Sequence, residues 1–141
     1  MAKDEPDLRS ELECFPEIDP GVEVLGDRIL VQLRREKNTS KGGIILVDET
    51  RQTLRFNETV AKVLQIGPLA YKSPDDLTPW PEGPWCQVGD LVRTIKYGGD
   101  RFVVQPDDEG APVVFITIQA REVISKIKSF EFAQKMKAFV D

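Results

Sequence analysis

The sequence predicts an antiparallel all-β fold, a barrel or sandwich, and three observations carry that expectation. From Val22 onward the apolar residues alternate with polar ones and are rich in β-branched types, the pattern of half-buried strands. The runs are short and are separated by Gly-rich turns. No segment between them reads as a crossover helix, so nothing supports a parallel sheet. The chain has 141 residues, 40% apolar and 30% charged, the size and composition of one soluble globular domain.

Seven strands are expected in order. Val22–Leu25 is short. Arg28–Leu33 puts Ile29, Val31 and Leu33 on one face. Thr59–Ile66 is ended by the Gly67-Pro68 breaker. Asp90–Ile95 follows the turn Val88-Gly89-Asp90, and Arg101–Gln105 follows Gly98-Gly99. Asp107-Asp108-Glu109-Gly110 turns the chain into Pro112–Ile118, and Val123–Ile127 closes the series. After Ser129, a candidate N-cap, the residues Phe132, Met136, Phe139 and Val140 form one stripe, which predicts an amphipathic helix over 129–141 that packs on the barrel or on a partner.

Charge is placed unevenly. The net is −5, and residues 1–23 hold eight acids against Lys3 and Arg9, leaving the rest of the chain close to neutral. Residues 1–21 therefore read as an acidic N-terminal extension, mostly flexible because Pro6, Pro16 and Pro20 interrupt it, with a short helix over Asp7–Glu13 in which Leu8 and Leu12 are neighbours. A near-neutral body lacks the basic excess of a nucleic-acid binder. The chain contains no histidine and two cysteines, Cys14 and Cys86, so neither a His-based triad nor the usual Cys/His zinc site can be assembled. No cofactor is expected. With no apolar run long enough to span a bilayer and no apolar segment at the start, the expected location is cytoplasmic. The carboxylate pairs Asp75-Asp76 and Asp107-Asp108 read as turn residues.

Two connections are too long for a compact barrel and are where function is to be sought. The first, 34–53, carries Gly42-Gly43-Ile44-Ile45-Leu46-Val47 between polar arms. Such a segment can be a tethered apolar anchor for a groove on a partner. Periodicity by itself favours the other reading, in which Gly42-Gly43 turns a hairpin into a buried strand over Ile44–Val47. The second, 68–87, holds five of the ten prolines together with Tyr71, Trp80 and Trp85, and is expected to be ordered only in part.

The run Leu25-Gly26-Asp27-Arg28-Ile29-Leu30-Val31, then Lys41 to Leu46, Val60 to Gly67 and Val88 to Val92, resembles the GroES-type co-chaperonins. Lys96-Tyr97-Gly98-Gly99 looks like that family's Tyr-Gly element, and Phe115 to Ile127 like its closing strands. The resemblance covers residues 22–127 in collinear order. It implies an irregular antiparallel β-barrel over 22–128, a homo-oligomeric ring, usually a heptamer, and a lid on a GroEL-type chaperonin that encloses unfolded client proteins. Gly42, Gly43, Ile44, Ile45 and Leu46 then match the chaperonin-binding mobile loop. Val22, Val24 and Leu25, with Val123, Ile124 and Ile127, match the terminal strands that pair between subunits. Tyr97 matches an aromatic facing the cage interior, and Tyr71, Trp80 and Trp85 fall in the roof segment. The acidic extension, the long Pro/Trp-rich roof and the C-terminal helix depart from the family pattern. An extended version of this kind looks like the bacteriophage co-chaperonins.

On this reading the chain is no enzyme and needs neither nucleic acid nor membrane; it also lacks a Gly-rich phosphate loop followed by Lys and Ser/Thr. A barrel-type nucleic-acid binder using Arg34, Arg35, Lys37 and Lys41 is one rival, and a ring-forming structural or decoration protein another. Alcohol dehydrogenases contain a similar barrel, but their dinucleotide-binding domain has no room here.

Overall fold

A computed structural model describes residues 8–36, 58–96, 98–107 and 110–136. Six antiparallel strands form one sheet: β1 Arg28–Leu33, β2 Val60–Ile66, β3 Leu91–Thr94, β4 Asp100–Val104, β5 Val113–Gln119 and β6 Val123–Lys126. Their order is β4-β5-β1-β2-β3-β6. In a flat sheet β5 and β6 would lie roughly 19 Å apart. Only Ala120–Glu122 joins them, a link that spans at most about 14 Å when fully extended. The sheet therefore curls, and the curl makes a barrel.

The side-chain alternation fills that barrel as the sequence predicts. Ile29, Val31 and Leu33 of β1 point inward with Ala61, Val63, Val92, Val114, Ile116, Ile118 and Val123. What the alternation does not predict is that β1 is buried on its other face too. Leu30 packs outside with Val24, Val113 and Phe115, and the Gln32 side chain donates to the Pro16 carbonyl at 3.0 Å. An antiparallel sheet can leave its outer face wet; here the chain ends cover it.

The N-terminal segment thus departs from the expected flexible extension. Its helix, α1, is a single turn, Glu11–Cys14, held by a reciprocal capping box between Ser10 and Glu13. Leu8 and Leu12 face solvent, whereas Cys14 and Phe15 are buried against Val60, Leu91, Ile127 and Ala133. Charge and prolines concealed this: they mark a segment that forms little regular structure, and a segment of that kind can still dock through one aromatic side chain. Val22–Leu25 does not form the expected strand either. It runs extended beside β2, but its partner is a side chain rather than a ladder.

Ala133, on the C-terminal helix α2 (Phe130–Lys135), completes the same cluster, with Phe130 and Met136 packed against it. The buried stripe is therefore turned from the expected one. Phe132 lies outside it, with the Lys135 ammonium 5.9 Å from its ring centroid. Ser129 occupies the N-cap position without a side-chain capping bond, while Phe139 and Val140 lie outside the described residues. No helix among the described residues is long and apolar enough to cross a membrane.

Two local irregularities place later features. Between β1 and β2 the register shifts at Leu30/Val31, so Leu64 is an extra residue on β2. Between β3 and β6 it shifts at Arg93/Thr94, so Ile124 is extra on β6 and points outward. At the end of β2, Gly67 sits so close to β1 that a Cβ would collide with the Gly26 and Arg28 carbonyl oxygens; its own amide donates to the Arg28 carbonyl at 2.8 Å.

Docking of the N-terminal segment through Phe15 sets a clear energetic expectation. Phe15→Ala will cost about 3 kcal/mol of unfolding free energy, read from urea denaturation, whereas Leu8→Ala with Leu12→Ala will stay within about 0.5 kcal/mol of the parent.

Candidate functional site

Three surfaces hold the residues singled out in the sequence. The first is the end of the β1–β2 ladder. Beyond Leu33 the pairing continues as the Arg34 amide donates to the Val60 carbonyl at 2.9 Å. Arg34 is buried, its guanidinium paired with both carboxylate oxygens of Glu58 and donating from Nη1 to the Ala133 carbonyl at 2.8 Å. Glu58 in turn accepts from the Thr59 amide at 3.1 Å. Arg34 is therefore committed inside the protein and is no phosphate ligand, which removes a leading residue of the nucleic-acid reading. The segment carrying Gly42, Gly43, Ile44, Ile45 and Leu46 lies outside the described residues.

The second surface joins Val22–Leu25 and β6. Gln65, on β2, reads the extended segment as a neighbouring strand would. The Val24 amide donates to its Oε1 at 2.9 Å, and its Nε2 donates to the Val22 carbonyl at 2.9 Å. In an extended chain these two groups share one edge, so the opposite edge, at Glu23, faces away. Of the six residues expected at a subunit interface, Val22, Leu25 and Ile124 are exposed, at 43%, 69% and 62%. Val24, Val123 and Ile127 are buried, and their side chains serve the chain's own core. β6 is the last strand in the order, paired with β3 on one side only.

The third surface is the Pro/Trp-rich segment. All of 68–87 is described, and it is packed rather than partly ordered. Ala70, Tyr71 and Cys86 belong to the main core, with Trp80 and Trp85 against it. The three rings form a mutual cluster with centroids 5.2 to 5.6 Å apart. A single bridge, Lys72 to Pro79, closes a small antiparallel loop. The Tyr71 hydroxyl donates to the Ala120 carbonyl at 2.9 Å and contacts the Cys86 sulfur at 3.4 Å. Burial, reinforced by Cys86, raises the phenol above its ordinary range. Tyr97 lies outside the described residues.

Two parts of this arrangement had no reading in the sequence. Gln65 is, with Lys62, one of two polar residues in an otherwise apolar strand, a pattern shared by many solvent-facing positions. Arg34 and Glu58 carried more signal: opposite charges flanking two strands that pair as a hairpin fall beside each other.

The family model for the chaperonin 10 kDa subunit, Cpn10, matches residues 21–127, and the chain belongs to that family. It is a co-chaperonin by family; the family is not one of enzymes. Among curated relatives, the co-chaperonin GroES of Chlamydia pneumoniae is 36% identical over 107 residues, covering 76% of this chain and 91% of the relative. That of Chlamydia muridarum (strain MoPn / Nigg) is 32% identical over 107 residues with the same coverage. The Chlamydia felis (strain Fe/C-56) protein is 31% identical over 104 residues, 74% of this chain and 88% of its own length. These relatives are bacterial and lend the bacteriophage likeness no support.

Tyr71 gives this region its test. Tyr71→Phe removes one of two donors to the Ala120 carbonyl, which keeps the Val123 amide, and is expected to cost about 1 kcal/mol. Because the folded phenol titrates above the ordinary value of 10.0, its contribution is complete below that pH and is lost as the unfolded phenol ionises above it. Urea denaturation across the alkaline range will show a shallower loss of stability in Tyr71→Phe than in the parent.

Proposed function

We propose that this protein assembles into a ring, a heptamer as the family resemblance implies, and caps a GroEL-type chaperonin in the cytoplasm by inserting the Ile44-Ile45-Leu46 anchors, preceded by Gly42-Gly43, into apolar grooves of the partner. The observation that carries the proposal is the collinear family match over 21–127, which spans the anchor, the barrel and both terminal segments. The geometry at the ladder end supports it: Glu36 and Glu58, from which residues 37–57 depart and to which they return, stand beside the same paired hairpin. The chain contributes no catalysis of its own; its work is enclosure of client proteins.

The physical logic is multivalent. One short apolar anchor binds weakly, since ordering its segment offsets much of the gain from burial. Several anchors on one rigid ring raise avidity by orders of magnitude with no new kind of contact. A lid built this way holds firmly as a set and lets go when the partner's grooves move apart. Ring closure would use the free edge of β6 and the outward edge of Val22–Leu25, with Val22, Leu25 and Ile124 as the apolar contacts. An unpaired, apolar edge of this kind is a liability for a lone subunit and an asset for a ring. In such a ring, Tyr97 would face the cage, and the segment with Tyr71, Trp80 and Trp85 would form its roof.

The triple change Ile44→Ser, Ile45→Ser, Leu46→Ser tests the anchor. Its thermal midpoint is expected to stay near that of the parent, as for substitutions away from a core, while co-sedimentation with a GroEL-type chaperonin and nucleotide is abolished. A large fall in the midpoint would place these residues in a core strand instead. Ile124→Lys tests the ring: light scattering will show subunits where the parent shows the assembly, with the far-ultraviolet dichroism of the barrel unchanged.

A further inference from the structure

The family match ends at residues 21 and 127, so residues 8–20 and 128–136 are additions to the shared barrel. They meet at one place, around the points where residues 37–57 leave and rejoin the described structure. On the outgoing side, the Arg35 amide donates to the Cys14 carbonyl at 2.7 Å, and the Glu36 carbonyl accepts from Arg9 Nη1 at 3.4 Å. On the returning side, Glu58 holds the Arg34 guanidinium, and Val60 packs on Cys14, Phe15 and Ala133. The two chain ends are also joined to each other, as Gln134 Nε2 donates to the Arg9 carbonyl at 3.3 Å.

We infer that the two chain ends form a collar that fixes both roots of the 37–57 segment, and that Arg34 is the positioning residue that locks the collar to them. The inference rests on the reading of Ile44–Leu46 as the chaperonin anchor. Arg34 reaches the return root through Glu58, the C-terminal helix through the Ala133 carbonyl, and β2 through its own amide. Only arginine has the planar fork for this; a lysine would hold the carboxylate as a point charge and give up the bond to the helix carbonyl, which would keep the Met136 amide alone. A buried ion pair is poor value as a source of stability, because desolvation cancels much of its attraction. Its use here is geometric. Residues held at the roots before binding need not be ordered during binding, so each anchor is presented with less conformational freedom to lose. A ring repeats the gain at every subunit.

The test uses the full chain and the double variant Arg34→Met, Glu58→Met, in which apolar side chains of similar volume replace the pair and leave folding stability near that of the parent. Two quantities are read: amide exchange at Arg34–Glu36 and Glu58–Val60, and the dissociation constant for a GroEL-type chaperonin with nucleotide. The expected result is a thermal midpoint close to the parent's, root amides exchanging at least tenfold faster, and chaperonin binding at least tenfold weaker. Parent-like chaperonin affinity in the double variant overturns the positioning role, and so does unchanged exchange at the roots. If the parent itself fails to bind the chaperonin, the functional reading falls, while the exchange arm still decides whether the collar holds the roots. Should the double variant fail to fold, Arg34→Lys answers the same question by the same two readouts, with an intermediate loss expected because charge is kept and the bond to Ala133 is not.

Discussion

The link between β5 and β6 is the constraint on which the rest of the molecule depends. Three residues, Ala120–Glu122, connect strands that four steps of the sheet order separate. The sheet can satisfy both the order and the link only by curling. Curling gives β1, β2, β3, β5 and β6 a common interior, which is why Ile29, Val63, Val92, Ile116 and Val123 belong to one cluster. Among the described residues the sheet's edge strands are β4 and β6, each paired on one side. The Tyr71 hydroxyl bond to the Ala120 carbonyl reinforces the same link, tying the Pro/Trp-rich segment to the turn that closes the barrel.

A curled sheet of short strands has more apolar outer surface than its interior can absorb. On β1 and β5 this surface is Leu30, Val113 and Phe115; on β2 and β3 it is Val60 and Leu91. The strand β4 covers part of it by stacking Phe102 on Phe115, with centroids 5.4 Å apart. The chain ends cover the remainder, Ile18 and Val24 on one side, Phe15 and Ala133 on the other. Their polar backbone has to be satisfied there, and side chains of the barrel do it: Gln32 for Pro16, Gln65 for Val22 and Val24, Arg34 for Ala133. The same residues that make the extensions dock also decide what they dock beside.

The strands were legible because their signal is local and repeats. Arg28–Leu33 is found as read, and the other five are found within a residue or two at each end. Val22–Leu25 shows where local pattern stops being sufficient: its composition suits a strand, but a ladder requires a partner strand, and among the described residues the Gln65 side chain takes that place. Phe15 and the Tyr71, Trp80 and Trp85 cluster were obscured for a different reason. Prolines around them argue against regular structure, which is correct, but regular structure is not what holds them; aromatic burial is. Likewise the C-terminal helix was legible from its stripe, and its facing was not, because Phe130, Ala133 and Met136 share a spacing as helical as the one expected.

A lid that must attach and detach needs stiffness and compliance in different places. In the proposed ring, stiffness belongs to the barrel and to the edges between subunits, because avidity falls if the proposed anchors cannot reach their grooves together. In the same proposal, compliance has to lie between the anchor and the barrel, because an anchor with no freedom would hold too tightly and would not follow the partner as it moves. The boundary between the two sets the balance, and the proposed collar puts it at Arg34 and Glu58 together with the docked termini. Moving that boundary by even one residue changes how much backbone must be ordered on binding, at roughly 1–2 kcal/mol per residue before other terms offset it. A pair of buried charges at the ladder end is therefore well placed to tune the attachment of the lid while leaving the barrel's own packing unaltered.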